Sequence, residues 1–206
     1  NLLLADTDTA VSRILQQLPY IGEVSISRKL PGTLVIEAVE AGPAYALETD
    51  EQYLLINDKN KVVDSTLQKQ AGLPLIRGMQ IASAEKGGQV SFADADQAKL
   101  LQNLLERLKN QGLQITLIDL REPVQIRFVI DNRILVKFGS STDMDKKLTH
   151  MIATYEKLEA GAAGTLDLTW WTSSKKDAYF KEETLSDEWL VPAASEGGED
   201  PSAPNP

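Results

Sequence analysis

The sequence predicts an α+β protein: a small N-terminal helix-and-hairpin unit, then a mixed β-sheet carrying two helices, then a loose acidic tail. Three observations predict it. Helical and alternating apolar periodicities interleave along most of the chain without an internal repeat. Two long amphipathic stretches stand out among many short strand-like runs. From Ala193 onward the chain is proline, glycine, serine and acid, with nothing to bury. Apolar residues make up 42% and charged residues 25% of the 206, an ordinary globular composition with enough chain for one medium domain or two small ones.

The N-terminal unit is predicted over 1–43. Residues 1–5 form a short apolar strand, and Asp8 stands at the N-cap of a helix whose face is Val11, Ile14, Leu15 and Leu18. Pro19 stops that helix. Val24 and Ile26 alternate in the next strand, Pro31-Gly32 supplies a turn, and Leu34, Ile36 and Ala38 mark the returning strand. Ala41-Gly42-Pro43 is the boundary to a second unit over 44–182. Short strands are expected there over 44–47, 53–56, 61–63 and 73–76, followed by a polar glycine-containing loop over 85–89. Asp94 and Gln97 resemble a capping box ahead of a helix with Ala98, Leu101, Leu105 and Leu108 on one face, ended by Gly112. Strands over 114–120, 124–130 and 134–138 follow, the last two joined by an Asp131-Asn132 turn. A second helix over 142–160 presents Met144, Leu148, Met151, Ile152, Tyr155 and Leu158. A final strand is predicted over 165–171, and a flexible acidic tail over 183–206.

Charge narrows the function. The formal net charge is −9, and between Asp177 and Asp200 eight acids face Lys181 alone, so the acidity belongs to the tail and the folded part is near neutral. No basic footprint is present for a phosphate backbone, which excludes nucleic acid as a partner. The absence of cysteine removes disulfides, thiolate metal sites and cysteine nucleophiles together. No apolar run approaches the ~20 residues that cross a bilayer. The chain opens at Asn1 and not at a methionine, as a fragment or processed form would.

A search for catalytic chemistry returns little. His150 is the single histidine, it has no nucleophile-elbow motif beside it, and it cannot form a histidine metal cluster alone. Gly87-Gly88 lacks the Lys-Ser/Thr of a phosphate loop, and no acidic loop has EF-hand spacing. The sequence therefore predicts no enzyme, cofactor or metal. A paired-carboxylate hydrolase is the catalytic alternative that thirty acids leave open. The unusual feature is Trp170-Trp171 at the end of the final strand. Adjacent strand residues face opposite ways, so the two rings cannot share one core. Either the Tyr179-Phe180 segment folds back over the outer ring, or that ring is an interface anchor or a sugar-stacking platform.

The run Leu18-Pro19-Tyr20-Ile21, Val24-Ser25-Ile26, Arg28-Lys29-Leu30-Pro31, Thr33-Leu34-Val35-Ile36, Val39-Glu40 and Pro43-Ala44 resembles, in order and in register, a POTRA domain of the FtsQ/DivIB cell-division family. Ala41 stands where that family commonly has arginine. Further on, Tyr53-Leu54-Leu55-Ile56 with Val62-Val63, Leu73-Pro74-Leu75-Ile76-Arg77-Gly78, Ile134-Leu135-Val136-Lys137-Phe138-Gly139 and Leu166-Asp167-Leu168 resemble segments of the family's β domain. Lys59 and Asn60 occupy a region where the family usually has glycine.

The resemblance implies a POTRA domain over 1–43 and a β domain over 44–182. It also implies a single-pass cell-membrane protein at the division septum, this part extracytoplasmic and the anchor outside this chain. It implies a non-catalytic scaffold that binds FtsB/DivIC-type and FtsL-type division proteins and regulates septal wall synthesis, with other divisome contacts through the POTRA unit. The family's partner adds a strand to the edge of the last β-domain strand, which by position implicates Leu166, Asp167, Leu168, Thr169, Trp170 and Trp171. The alternative function is a POTRA-containing outer-membrane assembly or secretion protein that chaperones substrate strands.

Overall fold

The computed structural model describes residues 6–29 and 32–192. The strand expected over 1–5, the Pro31 half of the hairpin turn and the tail from 193 lie outside the described residues. The first helix, α1 (Thr7–Gln17), packs on a two-stranded antiparallel sheet, β1 (Ile21–Lys29) with β2 (Thr33–Glu40). Its N-cap is Asp6 and not Asp8, because the Asp6 carboxylate accepts the Thr9 N–H at 3.0 Å and the Thr9 hydroxyl at 2.5 Å. Val24, Ile26, Leu34, Ile36 and Ala38 share one face of the hairpin by register, yet no residue of α1, β1 or β2 is fully buried.

The rest of the chain builds a nine-stranded mixed sheet. Its elements are β3 (Tyr45–Glu48), β4 (Tyr53–Ile56), β5 (Val62–Thr66), β6 (Leu75–Arg77), β9 (Ile115–Asp119), β10 (Ile126–Ile130), β11 (Ile134–Gly139), β12 (Gly164–Asp167) and β13 (Tyr179–Glu182). The spatial order is β13-β12-β11-β10-β9-β6-β3-β4-β5, and a small separate ribbon pairs β7 (Ile81–Ser83) with β8 (Ser91–Phe92). Helices α2 (Ala95–Asn110) and α3 (Met144–Tyr155) cover one face, where Leu47, Ile76, Ile118, Phe128, Val136 and Leu166 meet Leu101, Leu104, Leu108, Leu148 and Met151. The Asp94 carboxylate caps α2, accepting the Asp96 and Gln97 N–H groups. The capping box is only half formed, since the Gln97 amide instead donates to the carbonyls of Gly78 and Leu120 and ties the helix to the ends of β6 and β9. Asp131 and Asn132 both take positive φ, 52° and 56°, as a tight β10–β11 turn requires. The second helix is shorter at both ends than its apolar spacing over 142–160 predicts.

The other face of the sheet has its own core. Register places Leu55, Ala46, Leu75, Leu117, Val129 and Leu135 in one row across six adjacent strands. Residues 183–192, which composition assigns to a flexible tail, lie on this row as an ordered strap. Leu185, Trp189 and Val191 are buried against Ala46, Leu75, Leu117, Val129 and Leu135, with a 3-10 turn at Asp187–Trp189. The acidic composition concealed four apolar residues, Leu190 being partly buried beside the other three, and these gain more from covering the row than the short segment loses in chain entropy.

A parallel row of charges flanks the strap: Glu48, Arg77, Asp119, Arg127, Lys137 and Asp167, one from each of six strands. Arg77 Nε lies 2.8 Å from Glu48, and Asp119, with no exposed surface on its side chain, accepts both Arg121 Nε at 3.0 Å and Arg121 Nη2 at 2.7 Å. Burial pushes the Asp119 carboxyl up, but the hydrogen bonds from Arg121 and the charge of Arg127 outweigh it and hold it below the usual carboxylate range.

Candidate docking edge at the end of the sheet

The sheet's own order singles out one end. At the β5 end, the outer strand is met by the 86–89 loop, since Val62 N–H donates to Gly88 C=O and Gly87 N–H to Val62 C=O, with a further bridge between Lys61 and Gln89. At the opposite end β13 pairs antiparallel with β12, and no strand among the described residues covers its far side.

The structure corrects the predicted final strand. Pairing ends at Asp167, not Trp171, because the Asp167 carboxylate accepts the Thr169 N–H at 2.8 Å and the Thr169 hydroxyl at 2.6 Å. That local turn gives the side chain a better partner than a sheet edge and bends the chain away. Nor is this strand the last: Tyr179–Glu182 returns to pair along it, so the β12 edge is already occupied. The signal for β13 was only the Tyr179-Phe180 pair, embedded in a charged stretch that reads as tail.

The six residues singled out by sequence fall into two sets. Leu166 and Leu168 have no exposed surface and Trp171 is buried, all within the core beneath the helices. Asp167 and Thr169 form the turn, and Trp170 projects with 75% of its surface exposed. The Tyr179-Phe180 segment does not fold over the outer ring. It pairs with β12 instead, placing Tyr179 opposite Asp167 and tucking Phe180 against the core. Trp170 and Tyr179 line one open cavity of about 580 Å³ with Asp167, Lys175 and Asp177. Lys175 sits 2.8 Å from Asp177, and its hydrogen bond holds the Asp177 carboxyl below its ordinary range.

Beside Trp171, Lys147 of α3 is 3% exposed and donates to the carbonyls of Phe138 at 3.1 Å and Ser140 at 2.9 Å. Its ammonium stands 4.8 Å from the Phe138 ring centroid and 6.0 Å from that of Trp171, and burial lowers its pKa. Sequence reasoning had no means of finding this lysine, because it sits on the helix beside Leu148 with no distinguishing motif. His150 is half-buried on the same helix.

The direction of the β13 backbone groups can be read from two contacts. Glu183 N–H donates to Ala163 C=O, and a Cβ built on Gly164 would lie 2.1 Å from the Lys181 carbonyl oxygen. Lys181 and Glu183 therefore point their backbone groups at β12. By alternation, Phe180 and Glu182 point theirs outward, leaving two N–H and two C=O groups on the open side. Gly164 is required here by close approach, since any side chain would push β13 off.

No helix among the described residues is long and apolar enough to cross a membrane. Comparison with known proteins gives a consistent family. Residues 44–169 match the family described as Cell division protein FtsQ/DivIB, C-terminal. Cell division protein DivIB of Clostridium botulinum is 27% identical over 175 residues, covering 82% of this chain and 68% of that protein. DivIB of Clostridium acetobutylicum is 27% identical over 141 residues, covering 67% of this chain and 55% of its own length. Cell division protein FtsQ of Novosphingobium aromaticivorans is 37% identical over 68 residues, 32% of this chain and 21% of that protein.

Proposed function

The chain belongs to the FtsQ/DivIB family of cell-division proteins, and from this premise we propose that it is a non-catalytic divisome scaffold that accepts a strand from a partner on the open edge of β13. The family is a scaffold type and no known enzyme family, and it has a role in division. The matches do not favour the outer-membrane assembly alternative. In the proposed reading the partners are division proteins of the FtsB/DivIC and FtsL types. This part of the protein stands outside the cell membrane at the septum, tethered by an anchor beyond this chain, and the α1–β2 unit offers further divisome contacts as a POTRA domain.

One observation carries the reading: a nine-stranded sheet whose β13 end no strand among the described residues covers, while its β5 end is met by a loop. Unpaired backbone groups on an edge are a template for strand addition. The outward groups of Phe180 and Glu182 supply the pairing. Tyr179 and Trp170, 59% and 75% exposed, supply aromatic surface beside it. Asp167 and Thr169 act by holding the turn that presents Trp170, and Leu166, Leu168 and Trp171 act by fixing β12 from within.

The test is Glu182→Pro. Proline removes an outward N–H and leaves the β12 pairing intact, the one position type at which an edge strand tolerates it. Calorimetric titration with the extracytoplasmic region of the FtsB/DivIC-type protein from the same genome should show saturable binding by the parent chain, weakened about tenfold or more in the variant. Equal affinity in a folded variant would remove β13 as the docking edge.

A further inference from the structure

β13 is a weak strand by its own contacts. It has four residues, of which Tyr179, Lys181 and Glu182 are exposed, and only Phe180 reaches the core. An edge strand of this length with one apolar anchor frays unless both of its ends are tied. Its N-terminal end is tied by the 168–178 loop, and its C-terminal end runs directly into the strap. Glu183 is the junction: its N–H donates to Ala163 C=O and its carboxylate accepts the Thr165 hydroxyl at 2.7 Å.

The strap is fixed far more strongly than the strand it follows. Asn132, in the β10–β11 turn, holds Val191 by two bonds, donating Nδ2–H to its carbonyl at 2.9 Å and accepting its N–H at 2.9 Å. Arg77 Nη1 donates to Glu188 C=O at 2.7 Å and Lys69 to Leu190 C=O at 3.3 Å. Trp189 is buried beneath the Arg127 guanidinium, 5.4 Å from the ring centroid. All of these anchors belong to the middle of the sheet, on β6, β10 and the turns beside them.

We propose that the strap is a latch for the docking edge: with residues 185–191 seated on the outer face β13 is held in register, and with the strap released β13 leaves β12 and the edge is lost. The outer face thereby sets the population of the binding-competent edge, and apparent affinity scales with that population. The part of this inference that concerns partner affinity rests on the docking reading above; the part that concerns β13 does not.

The experiment is hydrogen exchange on the full chain carrying Asn132→Gly or Trp189→Ala. Glycine accepts the positive φ of position 132, so the first variant keeps the turn and removes only the clamp. The second removes the buried ring from a different anchor. The β12-facing amides of Lys181 and Glu183 should exchange about tenfold faster or more in both variants, while β9 and β10 amides keep their protection. Unchanged β13 exchange in both variants overturns the latch, as does loss of protection spread evenly through β9 and β10. The same variants are then titrated with the FtsB/DivIC-type region. Affinity falling with β13 protection supports both readings. Fast β13 exchange with undiminished affinity keeps the latch but rejects its control of docking, and with it β13 as the receptor edge.

Discussion

The α1–β2 unit and the nine-stranded sheet are written in the same alphabet, alternating apolar residues with one or more amphipathic helices, yet they differ in what they bury. In the sheet, Leu117, Phe128 and Val136 have no exposed surface, and both faces are covered, one by α2 and α3, the other by the strap. In the α1–β2 unit no described residue is fully buried, and Ile36 and Val39 remain 57% and 59% exposed. A two-stranded ribbon under one helix cannot enclose a core, so its hold on the rest of the molecule must come from elsewhere. Polar contacts supply it: Lys61 donates to the carbonyls of Leu15 and Ile21, Lys59 pairs with Glu23 at 2.7 Å, and Tyr20 donates to Asp64 at 2.6 Å. Two covered faces make one part of the molecule self-sufficient. The other depends on a few directional bonds.

The largest effect that tests this contrast is a cavity in the sheet. Phe128→Ala removes a fully buried ring that packs 5.7 Å from Phe138, and should cost about 3–5 kcal/mol in denaturant unfolding. Ile26→Ala in β1, at a half-buried position, should cost about 1 kcal/mol or less by the same measurement. Similar losses at the two sites would mean that the hairpin carries a core of its own and would end the comparison.

A smaller and more local effect is expected from Lys61→Met. The substitution keeps most of the aliphatic stem and removes the donor to Leu15 and Ile21. Loss of these bonds should weaken the hold on α1 and β1 by about 1–2 kcal/mol. It should appear as faster exchange of amides in α1 and β1 with the sheet amides unchanged. An equal change in both regions would show that the two unfold as one cooperative body.

How much of this was legible in the sequence follows from the same difference. The strands of the sheet center, the two long helices and the Asp131-Asn132 turn were readable because period and turn chemistry are local signals. The strap was not, because Leu185 and the three-residue run Trp189-Leu190-Val191 are too short an apolar signal beside the acids that precede them, and only the cross-strand row formed by Ala46, Leu75, Leu117, Val129 and Leu135 gives them a place to go. At the proposed docking edge, the Trp170-Trp171 pair shows that both rings cannot enter one core but not which ring stays out, and β13 is hidden because four residues with one buried side chain carry almost no periodic signal. The end of β12 was misplaced for a related reason: Leu166 and Leu168 continue the alternation past Asp167, and only the turn bonds from Thr169 show where pairing stops.

The smallest effect is an acid one, and its sign follows from Asp64. Hydrogen bonds from Lys86, from the Tyr20 hydroxyl and from the Ser65 N–H lower the Asp64 carboxyl from 3.8 to about 2. A carboxylate depressed in the folded state contributes stability that is complete above its ordinary value and is lost as the proton returns, so the window is from about pH 4 down to about pH 2. Glu23, lowered by its bond from Lys59, acts in the same direction at the same junction. The Glu23 side chain is largely exposed and that of Asp64 keeps 35% of its surface, so solvent and salt screen both and the effect is modest. Hydrogen exchange of α1 and β1 amides should therefore quicken through this window at low ionic strength, with less change in high salt. Tyr20→Phe removes one of the three donors, so Asp64 should titrate nearer its ordinary value, and the loosening should be smaller and complete at higher pH. An α1–β1 profile that is flat through the window in both proteins would show that the junction is held by the Lys61 bonds alone.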